Sequence, residues 1–569
     1  MNFVLERLRL HADEPFMRPY EGDASRFKWG LITYQDFLDA LAAATSYWSD
    51  ELTAQGLKQG DVVGMWYVLK GSHWSDLAHI YSVAAAGFVP EVFGSVFTAT
   101  FVQDLLDTHA ARVLIYDDAF AALLPQVKWQ QTMIRLPSLG DLPKTGAHPS
   151  APPEVGEDDV AMIFHTSGTT AGRPKPVPQT HKWLVAEGEV TWKCVIQRHP
   201  AGQHVFNNIG SFASIGAASC VTFMSWSGAC LTQSSGREIT AAEFLAMVQQ
   251  CGLNFLLQYA PWLAKLLANA RQSPEILDAL RGLQQIAYTG ASLNPEDEEW
   301  ALEQGIPLTP MYANTECGPL MVATLDSREP YLRLASEVKC KLLPVGLAHG
   351  EDPSATRQLY EFHVSADSKT CPHPSVCNRP DGHVTGDLFE EVKPGCYIFR
   401  GRSDDWIRTG GNPAFCDTKA IEENVMKTCR DVVHNCVVVG HQRICPLLVI
   451  EPESSVDVSS PEAQLKLKHT IIDRTASFNE RLFPHERITS PECILIVPAG
   501  SLPRTTVSAS PALCACRRLL KYHLQEKGNV RYVLNLPSSE SPDADSQRRR
   551  KATEEHFRAE IEKIYLSLP

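Results

Sequence analysis

Apolar residues recur at helical spacing at Phe37, Leu38, Leu41, Tyr47 and Trp48, and Thr33 followed by Asp36 supplies a capping-box-like start. Gly56 and Gly60 end that helix, and the apolar run 62–68 predicts a buried strand. A second helix is predicted over 74–86, a strand over 87–93 and another over 113–116. Strands alternating with helices imply a parallel-rich sheet covered on both faces, an α/β fold. Residues 137–159, rich in Pro, Gly and acids, read as a connector into the short apolar run 160–164. Toward the C-terminus, 419–429 predicts a helix, and 437–439 and 447–450 predict strands. No internal repeat points to a solenoid.

The run 160–164 breaks into His165-Thr166-Ser167-Gly168-Thr169-Thr170-Ala171-Gly172-Arg173-Pro174-Lys175. Glycines let backbone N–H groups turn inward and hydroxyls add donors, so a strand feeding this stretch predicts a clamp for nucleotide phosphates. The spacing around Lys175 is not that of a P-loop. A polar surface turn is the plainer reading of this stretch alone.

Three later stretches change the weighing: Met311-Tyr312-Ala313-Asn314-Thr315-Glu316-Cys317-Gly318, then Thr385-Gly386-Asp387, then Gly401-Arg402-Ser403-Asp404-Asp405-Trp406-Ile407-Arg408. In this order after the Ser/Thr/Gly loop they resemble the signature of the AMP-forming adenylating superfamily, which holds acyl-CoA synthetases, nonribosomal-peptide-synthetase adenylation domains and luciferases. The resemblance covers nearly the whole chain and is nearest to fungal stand-alone or reductase-linked adenylation domains. It implies a large N-terminal domain of mixed, parallel-rich sheets covered by helices over 1–401, holding phosphate loop, acyl pocket and AMP site. A small mobile α+β C-terminal domain over 402–569 would follow, with the hinge at Asp404.

The resemblance also assigns roles. Thr166, Ser167, Gly168, Thr169, Thr170 and Lys175 would grip the β- and γ-phosphates of ATP. Tyr312 would lie against adenine with Asn314 beside it, Thr315 would bond the α-phosphate, and Glu316 would hold Mg²⁺. Asp387 would accept from the ribose hydroxyls, with Arg402 helping from the far side. The acid would sit among Phe206, Phe212, Tyr259, Gly290 and Ala291, with Phe212 about where an aromatic gate residue falls; the alternative is that Phe206 and Phe212 are simply core residues. No aspartate in 206–217 is placed to pair with an amino group, so an aryl, keto or aliphatic acid is favoured over an α-amino acid, whose buried ammonium would lack a partner.

The chain departs from the family near its end. Leu502-Pro503-Arg504-Thr505 is not followed by the expected lysine, and Lys527-Gly528-Asn529-Val530-Arg531 looks like the missing half displaced downstream. Residues 507–525 and 533–547 then read as interruptions, either loops of the protein or retained introns, before a terminal helix resumes at Arg550 and runs through Ile564. Lys527 would be the residue that neutralises the reacting carboxylate.

Composition narrows the partners. A length of 569 residues, 44% hydrophobic and 21% charged, suits a globular protein of at least two domains. A net charge of −14 opposes sequence-independent nucleic-acid binding. The 16 cysteines follow no repeating spacing, which fits reduced thiols in a cytoplasmic protein. Residues 1–10 lack a signal-peptide core, no uncharged run is long enough to span a bilayer, and the final Ser567-Leu568-Pro569 is not a peroxisomal signal. His363, Cys371, His373, Cys377 and His383 lack the close paired spacing of structural zinc sites and read as a surface loop. The resulting expectation is an acid–thiol ligase using ATP and Mg²⁺, with CoA or a phosphopantetheine carrier in trans as acceptor. The alternatives are an adenylation module cut from a larger synthetase or reductase, and a nucleotide-binding pseudoenzyme.

Overall fold

The computed structural model describes residues 1–568 except 24–25, 69–72, 95–96, 130, 144–154, 167–173, 208–209, 237, 326, 328, 350–355, 404–405, 410–414, 481, 483–485 and 504–549. It is mixed α/β, with a large sheet-rich N-terminal domain and a small C-terminal one. Helix Tyr34–Ala54 opens on a full capping box: the Thr33 side chain accepts from the Asp36 N–H, and Asp36 accepts from the Thr33 N–H. Its buried stripe includes Phe37, Leu38, Leu41 and Trp48.

That helix leads into a six-stranded sheet ordered Thr132–Arg135, Val113–Tyr116, Val62–Val68, Val89–Gly94, Val160–His165, Pro176–Thr180. All neighbours are parallel except the last pair, which is antiparallel. The strand expected over 87–93 starts two residues later, because Gly87 takes a left-handed turn (φ 89°) after helix Trp74–Ala85. Residues 137–159 are not all connector, since a 3-10 turn forms at Leu139–Asp141.

A 13-stranded sheet forms the other wall. Its parallel part runs through Cys230–Thr232, Val205–Asn207, Phe255–Tyr259, Gln285–Thr289 and Leu308–Asn314. An antiparallel extension continues through Gly318–Ala323, Leu332–Leu334, Cys396–Arg402, Gly382–Lys393, Thr356–Ser365 and Cys340–His349. The switch comes between Asn314 and Gly318, where Gly318 has φ 73°. The largest apolar core joins Tyr34, Phe37, Trp48, Phe164, Trp183 and their neighbours across the two sheets.

The small C-terminal unit has a three-stranded sheet of Val433–Val439, Leu447–Pro452 and Ile494–Ile496, backed by helices Thr418–Thr428 and Pro461–Asn479. After 504–549 the chain returns as helices Arg550–His556 and Arg558–Ser567, where one continuous helix was expected. Phe557 and Ile561 pack with Leu502 on Val437, Val439, Leu447 and Val449. Arg550 donates to Val438 O at 2.6 Å and to Glu422 at 3.0 Å, and Glu554 accepts from the Gly440 N–H. Among the described residues no helix is long and apolar enough to cross a membrane.

Candidate active site

Strand Val160–His165 ends where the polar loop begins, and antiparallel pairing of His165 with Pro176 closes the loop at its base. Thr166 N–H donates to Lys175 O, and Lys175 N–H donates to Thr166 Oγ1, each at 3.0 Å. Thr166 and Lys175 are therefore fixed side by side. Ser167, Gly168, Thr169 and Thr170 lie outside the described residues.

Facing this base is the hairpin between Leu308–Asn314 and Gly318–Ala323. Asn314 Oδ1 accepts from the Cys317 N–H at 2.7 Å, bracing the connection between the two strands, while its Nδ2 lies 3.4 Å from the Tyr312 hydroxyl. Asn314, expected at the nucleotide, is thus engaged in building the turn that presents Thr315 and Glu316. The same turn is held from behind by Gln179, wholly buried, whose Nε2 donates to Thr315 O at 2.8 Å and Glu316 O at 3.3 Å.

Tyr312 is wedged against Phe389 (4.9 Å, edge-on) and Phe399 (6.0 Å, stacked), and its hydroxyl donates to Asp387 Oδ2 at 2.5 Å. Asp387 and Arg402 are direct cross-strand partners. Arg402 Nη1 donates to Asp387 Oδ1 at 3.3 Å and to Thr385 O at 3.0 Å. Gly386, at φ 75°, takes a left-handed turn that favours glycine, and a Cβ there would stand 3.0 Å from Arg402 Nη2.

The charges of these elements feel one another. Burial raises the Glu316 carboxyl, opposed by the positive charges of Arg402 and Lys175. Burial likewise raises Asp387, opposed by Arg402 and the Tyr312 hydrogen bond, while Glu316 pushes it further up. Two carboxylates, one guanidinium and one ammonium, drawn from four separate stretches, lie close enough to feel one another's charge. Among the described residues no three or more His, Cys, Asp or Glu side chains form a metal cage. The single carboxylate of Glu316 suits Mg²⁺, which takes one or two carboxylates and completes its shell with phosphate oxygens and water.

Tyr259, Gly290 and Ala291 lie at the C-terminal ends of neighbouring parallel strands, paired Tyr259 to Thr289 and next to the strand carrying Tyr312. A Cβ on Gly290 (φ 85°) would meet the Tyr259 ring at 2.8 Å, so the glycine lets backbone and ring close up. Gly290 and Ala291 are exposed there. Phe206 and Phe212 differ. Phe206 is 4% exposed and edge-on to Phe223 at 5.3 Å, and Phe212 is fully buried. Both belong to the largest apolar core, so Phe212 packs in the core and does not stand as an exposed gate. Between them Asn207 is also fully buried, its amide bonded both ways to the Leu257 backbone at 2.8 Å.

One feature escaped the sequence reading. Glu91, fully buried in the strand beside Val160–His165, accepts from His165 Nε2 at 3.0 Å and His109 Nδ1 at 2.9 Å. Burial would raise its carboxyl, but the two imidazole hydrogen bonds outweigh burial and hold it below the ordinary range. His109 is raised in return, chiefly by its bond to Glu91. An acid inside the apolar run 87–93 was the available signal. The triad fixes the ring of the residue directly before Thr166.

The expected hinge Asp404 and lysine Lys527 lie outside the described residues.

Comparison with known proteins bears on this arrangement. Residues 13–346 match the AMP-binding enzyme family, and 416–509 match the AMP-binding enzyme C-terminal domain. The chain belongs to the AMP-binding enzyme family. It is 31% identical over 84% of its length to the AMP-binding domain-containing enzyme iboA of Amanita muscaria (strain Koide BX008), covering 92% of that protein. It is 25% identical over 75% of its length to the adenylate-forming reductase Nps11 of Serpula lacrymans var. lacrymans (strain S7.9), spanning 40% of that longer protein. The fold superposes on O-succinylbenzoate coenzyme A synthetase of Bacillus subtilis in complex with AMP, with TM-score 0.66 at 16% identity over 90% of this chain and 96% of that one. The same synthetase in complex with ATP and magnesium gives 0.64. As a member of this AMP-binding enzyme family, the chain is an adenylate-forming enzyme.

Proposed function

We propose that the protein is an AMP-forming acid–thiol ligase, converting a carboxylic acid and ATP to an acyl-adenylate and passing the acyl group to CoA or to a carrier pantetheine in trans. The observation that carries this reading is the convergence of Tyr312, Asp387 and Arg402 with Glu316 and Lys175. Joining a carboxylate to a triphosphate brings anions together, so the work is positioning and charge neutralisation. Lys175 meets the outer phosphates. Thr315 and Glu316, presented on the turn that Gln179 holds, face the α-phosphate and Mg²⁺, which neutralises phosphate charge when bound. Asp387, steadied by Tyr312 and Arg402, takes the ribose hydroxyls.

Tyr259, Gly290 and Ala291 border the acid, with Phe206 and Phe212 as the packed wall behind. In the 206–217 segment, Asn207 spends its amide on Leu257, leaving no carboxylate there for an ammonium. An aryl, keto or aliphatic acid therefore fits better than an α-amino acid. The division at 401/402, a hinge at Asp404 and a carboxylate-neutralising role for Lys527 follow from the motif order, and the free thiols of all described cysteines suit a cytoplasmic setting.

The absence of a lysine after Thr505 favours one second reading, a nucleotide-binding pseudoenzyme. Pyrophosphate exchange across a panel of acids separates the two. Acid-dependent exchange that Lys527→Ala abolishes supports the ligase, whereas ATP binding with no exchange for any acid sinks it.

A further inference from the structure

The segment 366–381 joins strands Thr356–Ser365 and Gly382–Lys393, and within it the thiols of Cys371 and Cys377 stand 3.7 Å apart. Both are only partly buried. The turn already brings them together: the Val376 and Cys377 N–H groups donate to His373 O, and Cys377 Sγ lies 3.5 Å from Pro372 O. Among the described residues these cysteines do not join a third ligand in a metal-binding group.

Two contacts tie the pair to the nucleotide site. Cys371 packs on the cluster of Cys317, Phe362 and Phe389, against which Phe399 and the Tyr312 ring also pack. Next to Cys377, Asn378 clamps Val384 through both halves of its amide: Nδ2 donates to Val384 O, and Val384 N–H donates to Oδ1, each at 2.8 Å. Val384 immediately precedes Thr385-Gly386-Asp387. A disulfide needs sulfurs about 2.0 Å apart. Closing this pair therefore draws it in by about 1.7 Å and pulls Asn378, and with it the strand end that carries Asp387.

We propose that Cys371 and Cys377 form a reversible disulfide by exchange with a low-molecular-weight disulfide, and that closure weakens ATP binding at the Tyr312–Asp387–Arg402 site. The affinity half of this proposal rests on reading that site as the nucleotide site. In the first step the Cys377 thiolate attacks one sulfur of glutathione disulfide and releases one glutathione thiolate. In the second, Cys371 loses its proton, attacks Cys377 Sγ and releases the other. The protein gives up two hydrogens and the glutathione disulfide becomes two thiols.

The full-length protein is equilibrated in glutathione/glutathione disulfide mixtures, mapped by non-reducing peptide mass spectrometry and titrated with MgATP. The expected result is a Cys371–Cys377 cross-linked peptide, at least fivefold weaker MgATP binding, and recovery with dithiothreitol. Cys371→Ser and Cys377→Ser should each bind MgATP like the reduced protein and ignore glutathione disulfide. Failure of the cross-link to form in excess glutathione disulfide overturns the proposal, as does a cross-link that leaves MgATP affinity unchanged. Oxidative weakening that survives in Cys371→Ser also overturns it, and points to another close pair, Cys445 and Cys493 at 3.6 Å. Reduced protein that binds no MgATP overturns the nucleotide-site reading and the affinity half, while the peptide map still judges the cross-link.

Discussion

The proposed nucleotide side and the proposed acid side of the site are built by different means. On the nucleotide side, Tyr312, Asp387 and Arg402 come from three separate strands and are locked by charge, hydrogen bonds and cross-strand register, and Glu316 comes from the turn that follows the Tyr312 strand. On the acid side, Phe206 and Phe212 are held by apolar packing, and the surface near Tyr259 is shaped by the absence of a side chain at Gly290. A triphosphate offers the same charges to every enzyme that binds it, so its partners are polar and fixed in kind. The acid varies, so its wall is made of shape, and shape is set by residues distant in sequence.

This contrast predicts that damage on the two sides is read in different measurements. The largest effect is expected for Phe212→Ala, which should cost about 3–5 kcal/mol of stability, seen in chemical denaturation, while the KM for ATP stays put. A large change in acid KM with no loss of stability would show that Phe212 faces the substrate, and would break the comparison.

Next comes Glu91→Leu, which leaves His165 and His109 without their acceptor and should cost about 3 kcal/mol. The pH dependence of the native protein sharpens this. Glu91 is depressed from its ordinary value of 4.5, so its contribution is present above that value and is lost as pH falls through its folded pKa. His109 is raised from 6.5, so its contribution is complete below that value and is lost as pH rises through its folded pKa. The triad therefore stabilises most between 4.5 and 6.5. Thermal melting across pH should show this excess in the native protein and lose it in Glu91→Leu. Equal pH profiles for the two proteins would discard the triad as a source of stability.

The smallest change in stability, with its effect on ligand instead, is expected for Asp387→Asn. The amide keeps the shape but loses a charged acceptor, so ATP binding should weaken about 10–100-fold, the equivalent of about 1.5–3 kcal/mol. Unaltered ATP affinity by calorimetry would remove Asp387 from the nucleotide site.

Sequence reading succeeded where chemistry constrains residue type over a short span. The turn at Thr385-Gly386-Asp387 is legible because its glycine is left-handed and sits against Arg402. The strand at Val62–Val68 and the capped helix at Tyr34–Ala54 were legible from period and capping residues. Gln179 and Glu91 were not, because their partners lie 136 and 74 residues away and only the folded sheets bring them together. Phe212 was assigned by its position relative to a motif, yet burial depends on what covers it, which linear position does not encode. Asn314 was read for its place in the motif, and the bond its side chain accepts from the Cys317 N–H within its own hairpin was not legible.

The return of Arg550 to Glu422 on helix Thr418–Thr428 and to Val438 on strand Val433–Val439 has a consequence for how the small domain holds together. That domain is a split fold, with its last layer delivered by a piece of chain far removed from the rest. A fluorescent peptide of residues 550–569 should dock onto a polypeptide truncated after Pro503 and restore its melting temperature, and Arg550→Ala in that peptide should abolish the complementation.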